Sequence, residues 1–144
     1  MTRILFVCTG NTCRSPMAEA ILRSMGIPGV EVKSAGVYAF DGNDASEHTR
    51  KVLAEEGIDI DHRAAMLNES LVEWTSYIFT MTESHKAAVI RMYPHASEKT
   101  FTLKEFADHS GDMDIIDPFG GSLEVYRKTF IEMKAAISDI INKL

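Results

Sequence analysis

The chain has 144 residues, 45% of them hydrophobic, and a formal net charge of −6. This length holds one domain with a substantial core and is too short for two, so residues 1–144 are expected to form a single domain. An acidic balance with scattered Lys and Arg argues against nucleic acid as a partner, and no apolar run approaches the roughly 20 residues that a membrane span needs.

Met1-Thr2-Arg3 leads directly into the apolar run Ile4-Leu5-Phe6-Val7, which reads as a buried strand with no cleaved targeting segment before it. Met17 to Leu22 reads as a helix, with Ser15 as its cap and Pro16 at its first position. Gly26-Ile27-Pro28-Gly29 then breaks the chain. Val30 to Lys33 alternates like a strand with one solvated face, which suits a sheet edge, and Ser34-Ala35-Gly36 closes it. After a turn at Asp41-Gly42-Asn43-Asp44, Ser46 to Glu56 reads as a helix stopped by Gly57. Asn68 caps a short helix ending near Trp74, and Tyr77 to Met81 is a second buried strand. Thr82 caps a helix from Glu83 to Met92, which Pro94 ends. Thr100 to Leu103 is the fourth strand, and a polar loop with Gly111 leads to Ile115-Ile116-Asp117-Pro118-Phe119-Gly120-Gly121. The last helix spaces Tyr126, Phe130, Met133, Ile137, Ile140 and Leu144 along one apolar face, expected to pack on the sheet.

Strands and helices alternate, so the class is α/β with a parallel sheet. The order 2-1-3-4, with helices on both faces, puts the alternating strand at an edge and the two apolar strands in the middle. Ligands of such sheets bind beyond the strand C-termini, where the strand order reverses.

The stretch Cys8-Thr9-Gly10-Asn11-Thr12-Cys13-Arg14-Ser15 falls there, between the first strand and the first helix. A turn feeding a helix N-terminus aims backbone N–H groups at one point and adds the positive end of the helix dipole. Gly10 is expected to give the loop its positive φ. Arg14 supplies a planar fork of donors suited to two phosphate oxygens. A thiol at Cys8 ionises readily in such a field. A thiolate beneath a cradle for a tetrahedral anion suits phosphoryl transfer through a cysteinyl-phosphate.

A leaving group needs a proton donor, and Asp117, in its Gly- and Pro-bounded loop, is the candidate. Asp108, Asp112 and Asp114 are rivals, and Asp117-Pro118 could simply open a turn. Cys13 could capture an oxidised Cys8 as a disulfide, making the pair redox-sensitive, or could be a small packing residue. Two cysteines in one loop are no disulfide framework, which points to a cytoplasmic location. His48, His62, His85, His95 and His109 lack metal-ligand spacing and read as solvated surface, while Trp74 and the methionines read as core.

The run from Val7 to Glu19, followed in order by Ser34-Ala35-Gly36 and Asp117-Pro118, resembles the low-molecular-weight protein tyrosine phosphatases over essentially the whole chain. It is most similar to the bacterial protein arginine phosphatases within that family. Thr12 stands where tyrosine-specific members typically carry Ile, and Phe119-Gly120-Gly121 follows the acid where many of them carry paired tyrosines. The resemblance implies a flavodoxin-like fold and a two-step reaction on phosphorylated protein substrates. Cys8 is implied as nucleophile, Thr9 to Arg14 as the anion cradle and Asp117 as acid and then base. Asn11 is implied to shape the loop and Ser15 to donate to the Cys8 sulfur. It implies no metal or organic cofactor. A monomer is expected.

Phosphoarginine has a planar, polar leaving group. Thr12 could accept from it, Asp117 could pair with it and Phe119 could lie along its flat face. The alternatives are a phosphotyrosine phosphatase, an arsenate reductase, for which no further cysteine follows Cys13, and a cysteine phosphocarrier, which has no use for a general acid.

Overall fold

Ile4, Leu5, Phe6 and Val7 are all inaccessible to solvent, because the strand they form lies mid-sheet and is covered on both faces. The computed structural model describes residues 1–108 and 111–144. Its strands are β1 (Thr2–Cys8), β2 (Val30–Gly36), β3 (Tyr77–Thr80) and β4 (Thr100–Thr102). They form one parallel sheet in the order β2-β1-β3-β4, as the alternation of elements predicts. The helices are α1 (Arg14–Ser24), α2 (Glu47–Glu55), α3 (Glu69–Trp74), α4 (Glu83–Met92), α5 (Leu103–Phe106) and α6 (Leu123–Ile141), with a 3₁₀ turn at Pro94–Lys99.

Side chains of β1 alternate between two cores. Ile4, Phe6 and Cys8 meet Met17 and Ile21 of α1, Val52 of α2, and Phe130 and Met133 of α6. Leu5 and Val7 meet Val72 of α3 and Val89 of α4. Each large side chain so buried contributes roughly 1.5–3 kcal/mol, which makes the strand a rigid support for the turn at its C-terminal end. Cys8, the last residue of β1, pairs with Gly36 on one side, and Val7 pairs with Thr80 on the other.

Some expected boundaries move, each for a local reason. Helix α1 begins at Arg14, not after Ser15, because the Cys13 carbonyl already accepts from Met17 N. Ser15 and Pro16 therefore lie inside the first turn, where a proline is still tolerated. β2 continues through Ser34-Ala35-Gly36, since β1 runs beside it to Cys8. Leu103 leaves β4 to start α5, which Thr102 and Glu105 close with a capping box.

Ser46, Asn68, Thr82 and Ser122 each cap a helix through a side-chain oxygen. The apolar face of α6 is buried from Tyr126 to Ile140, but Leu144 lies beyond the helix and is exposed. Trp74 is half-buried under the Lys33 ammonium rather than in the core. Of the methionines, Met17, Met81 and Met133 are fully buried, while Met1 and Met92 are exposed.

Candidate active site

From Cys8 the chain turns through a short loop into α1, and buried polar groups hold that turn. Asn11, not Gly10, takes the left-handed conformation, at φ 55°. An Asn tolerates that region when its side chain bonds locally. Here Asn11 Nδ2 donates to Ser15 Oγ at 2.8 Å and to Ser34 Oγ at 2.9 Å, and Asn11 Oδ1 accepts from Ala65 N at 2.9 Å. Ser15 Oγ also lies 2.8 Å from Cys8 Sγ. Ser15 accepts from Asn11, so its single hydrogen has two acceptors in reach, the Cys8 sulfur and, farther off, the Ala35 carbonyl at 3.4 Å. Gly36 lies against the loop: a Cβ there would stand 2.3 Å from Thr9 O and 3.0 Å from Asn11 N.

Two histidines lie behind the turn. His62 Nε2 is 2.7 Å from Asn11 O, and His85 Nε2 is 2.8 Å from Thr9 Oγ1. Both are buried, contrary to the surface expectation. Burial, and secondarily the Arg14 charge, push the His85 pKa down to about 4 against the opposing pull of Asp114 and Asp117. His85 is thus a neutral ring at physiological pH. His48 stacks edge-on to Tyr126, His95 is exposed, and His109 lies outside the described residues. Among the described residues no three His, Cys, Asp or Glu side chains are grouped to hold a metal ion.

Arg14 is buried, and its NH1 donates to Ile115 O at 3.0 Å. Its NH2 is 3.6 Å from Asp117 Oδ2, a distance too long for a hydrogen bond but close enough for attraction. The guanidinium is therefore fixed from the side of the Asp117 loop. A pocket of about 250 Å³ opens between them, lined by Cys8, Thr9, Gly10, Thr12, Cys13, Arg14, Asp117 and Phe119. Asn11 and Ser15 are wholly buried behind its wall and contribute no surface to it. A larger hollow of about 350 Å³, beside Trp74, shares no residue with this pocket.

The rivals of Asp117 are engaged elsewhere. Asp114 Oδ1 accepts from Glu83 N, Asp112 Oδ1 accepts from Asp114 N, and Asp108 pairs with Lys143. Cys13 Sγ lies 3.5 Å from the Tyr126 hydroxyl. Burial and this neighbour push the Tyr126 pKa up to about 12, so Tyr126 keeps its proton. Among the described residues, the Cys13 side chain makes no capping bond to α1, which leaves the first amides of that helix without a side-chain acceptor from their cap.

Residues 3–144 match the family model described as low molecular weight phosphotyrosine protein phosphatase. The chain belongs to this family. A protein-arginine-phosphatase of Geobacillus stearothermophilus is 50% identical over 142 residues, covering 99% of this chain and 95% of that one. A low molecular weight protein-tyrosine-phosphatase PtpB of Staphylococcus haemolyticus is 37% identical over 131 residues, 91% of each chain. The solved YwlE arginine phosphatase of Geobacillus stearothermophilus superimposes with a TM-score of 0.96 at 49% identity, over 99% of this chain and 92% of that one. A YwlE arginine phosphatase mutant with a phosphorylated active-site serine superimposes with a TM-score of 0.94 at 37% identity, over 99% and 95%.

Within this phosphatase, sequence reasoning passed over His62 and His85 as surface, and named Ser34 and Gly36 as a strand end and part of the family pattern without giving either a place behind the loop. His85 carried a usable signal. It sits in the first turn of the helix after β3, at the C-terminal edge of the sheet where ligands bind. For His62, which lies in the middle of an irregular stretch, the sequence holds no such signal.

Proposed function

We propose that this protein phosphatase removes phosphate from arginine side chains of proteins, through a phosphoryl group carried on Cys8. The observation that carries the arginine reading is Thr12 in the wall of the Cys8 pocket, with Asp117 and Phe119 in the same lining. The likeness to proteins named protein-arginine-phosphatase supports it.

In the first step the Cys8 thiolate attacks phosphorus in line, forming an S–P bond as the N–P bond breaks. The first amides of α1 and the Arg14 guanidinium take up the charge on the equatorial oxygens. Asp117 delivers its proton to the departing guanidine nitrogen. In the second step the Asp117 carboxylate takes a proton from a water that attacks phosphorus. The S–P bond breaks, phosphate leaves and the thiolate returns. The Ser15 hydroxyl stabilises the thiolate in both directions. No step calls for a metal or an organic cofactor.

Thr12 offers an acceptor to the N–H groups of the leaving guanidine. Isoleucine there would leave them unpaired, at a cost of about 1–3 kcal/mol. We further place its action on cytoplasmic proteins as a monomer, with Cys13 available to capture an oxidised Cys8.

The test compares peptides carrying phosphoarginine and phosphotyrosine. The wild type should favour phosphoarginine in kcat/KM, and Thr12→Ile should shift that ratio toward phosphotyrosine by about five- to 150-fold. A ratio unchanged by Thr12→Ile would remove the argument from this side chain. A wild-type preference for phosphotyrosine would favour the alternative reading.

A further inference from the structure

The peptide just before Asp117 is held by a side chain outside the pocket. Ile116 N donates to Glu132 Oε1 at 3.1 Å, and Glu132 Oε2 lies 3.4 Å from Lys104 Nζ. Glu132 stands on α6 and Lys104 on α5, so two helices meet the loop at this point. Both side chains are largely covered, at 23% and 12% exposure, which shields their attraction from solvent.

The other ties of this loop are of different kinds. Ile115 N donates to Met81 O, a backbone contact, and Ile115 O accepts from Arg14. Phe119 N donates to Asp117 Oδ1 and Gly121 N to Pro118 O, both within the turn itself. The Asp117 side chain is 59% exposed, and its contact with Arg14 is long. Its position in the Cys8 pocket therefore depends on how firmly the backbone beside it is held. Proton transfer needs a separation of about 2.6–3.2 Å, and a displacement of about 1 Å can cost on the order of 10²-fold in rate.

We propose that Glu132 is a positioning residue for the acid, aimed by Lys104 at the Ile116 amide so that Asp117 keeps its place in the Cys8 pocket. The inference rests on the reading of Asp117 as the acid. Glu132 touches neither substrate nor sulfur. It acts through one backbone N–H, and the carboxylate on α6 meets that N–H because Lys104 holds its other oxygen.

The test uses kcat/KM, which reports phosphoryl transfer to Cys8, on aryl phosphates whose leaving phenols run from dinitrophenol to phenol. A good leaving group departs without a proton, and a poor one needs the acid. Glu132→Ala should lose about tenfold on phenyl phosphate but less than about twofold on dinitrophenyl phosphate. Inhibition by inorganic phosphate should stay unchanged, because the anion cradle is untouched. Glu132→Gln keeps an acceptor and should restore most of the rate on phenyl phosphate. Lys104→Met, on the far side of the pair, should reproduce the same selectivity more weakly. An equal loss on every substrate, or no loss on any, would overturn the proposal. Asp117→Asn is run beside these variants. If it shows the leaving-group dependence and Glu132→Ala does not, the positioning role alone fails. If Asp117→Asn itself shows none, the acid assignment falls and takes this inference with it.

Discussion

The Ser15 hydroxyl accepts from Asn11 Nδ2 at 2.8 Å and has two acceptors within reach of its single hydrogen, the Cys8 sulfur at 2.8 Å and the Ala35 carbonyl at 3.4 Å. The sulfur is the nearer and, as a thiolate, the charged one. A hydrogen bond to a charged group contributes about 1.5–3 kcal/mol. Ser15→Ala should therefore slow turnover by about 10- to 150-fold. Asn11 keeps its bond to Ser34 in that variant, so the loop should hold its shape. Single-turnover kinetics should show the sulfur becoming a poorer leaving group and the Cys8 phosphate living longer. Unchanged breakdown of that intermediate would remove Ser15 from the mechanism.

Asp117 is asked to give a proton in one step and take one in the next. Asp117→Asn should slow kcat by about 10²–10⁴. The phosphorylated enzyme should accumulate where dephosphorylation becomes the slower step, and mass spectrometry of the acid-quenched reaction would detect it. Asp114→Asn should not reproduce this pattern, because Asp114 is occupied at the start of α4.

Gly36 has no room for a side chain, since a Cβ would press on Thr9 O and Asn11 N, both backbone atoms of the loop. Gly36→Ala must move one or both. The expected cost is about 1–3 kcal/mol of stability. Inhibition by vanadate should weaken together with kcat/KM, because Thr9 and Asn11 belong to the loop proposed to cradle the anion. Denaturant unfolding and vanadate titration of the one variant read the two effects separately.

His85 has a folded pKa near 4, below its ordinary 6.5, because it is buried beside Arg14. Between these values the unfolded chain binds the proton more readily than the folded one. This contribution to stability is complete above about pH 6.5 and is lost as pH falls toward 4. It amounts to about 3 kcal/mol at most across the window. His85→Gln should flatten that part of the pH dependence, as read from urea midpoints at pH 7 and pH 4.5. An equally steep loss in the variant would place the acid sensitivity elsewhere.

Much of the architecture was legible because it arises from local patterns. Unbroken apolar runs marked the two inner strands and alternation marked the edge strand. Asn68 and Thr82 were legible as caps directly before their helices, whereas Ser46 reads as the first helical residue and Ser122 was passed over, though both also cap. The short helix after Thr102 was legible too, in the Thr102–Glu105 capping box, but its apolar first residue passed for the end of a strand. The start of α1 was misplaced because Ser15 looks like a cap. Its hydroxyl is instead committed to Cys8 and Asn11, a demand that no local pattern displays.

By itself the sequence determined the chemistry available: a thiol and a guanidinium in one turn after a buried strand, with carboxylates late in the chain as candidate acids. Tertiary structure alone decided which of these groups share a pocket and what holds them there. Asp117 reaches Arg14, while Asp108, Asp112 and Asp114 turn to other partners. His62, His85, Ser34 and Gly36 arrive behind the loop from distant segments. The physical reason is that a strained turn of buried polar groups needs partners on every side. Those partners come from whatever elements the sheet brings alongside, so chain separation carries no trace of them.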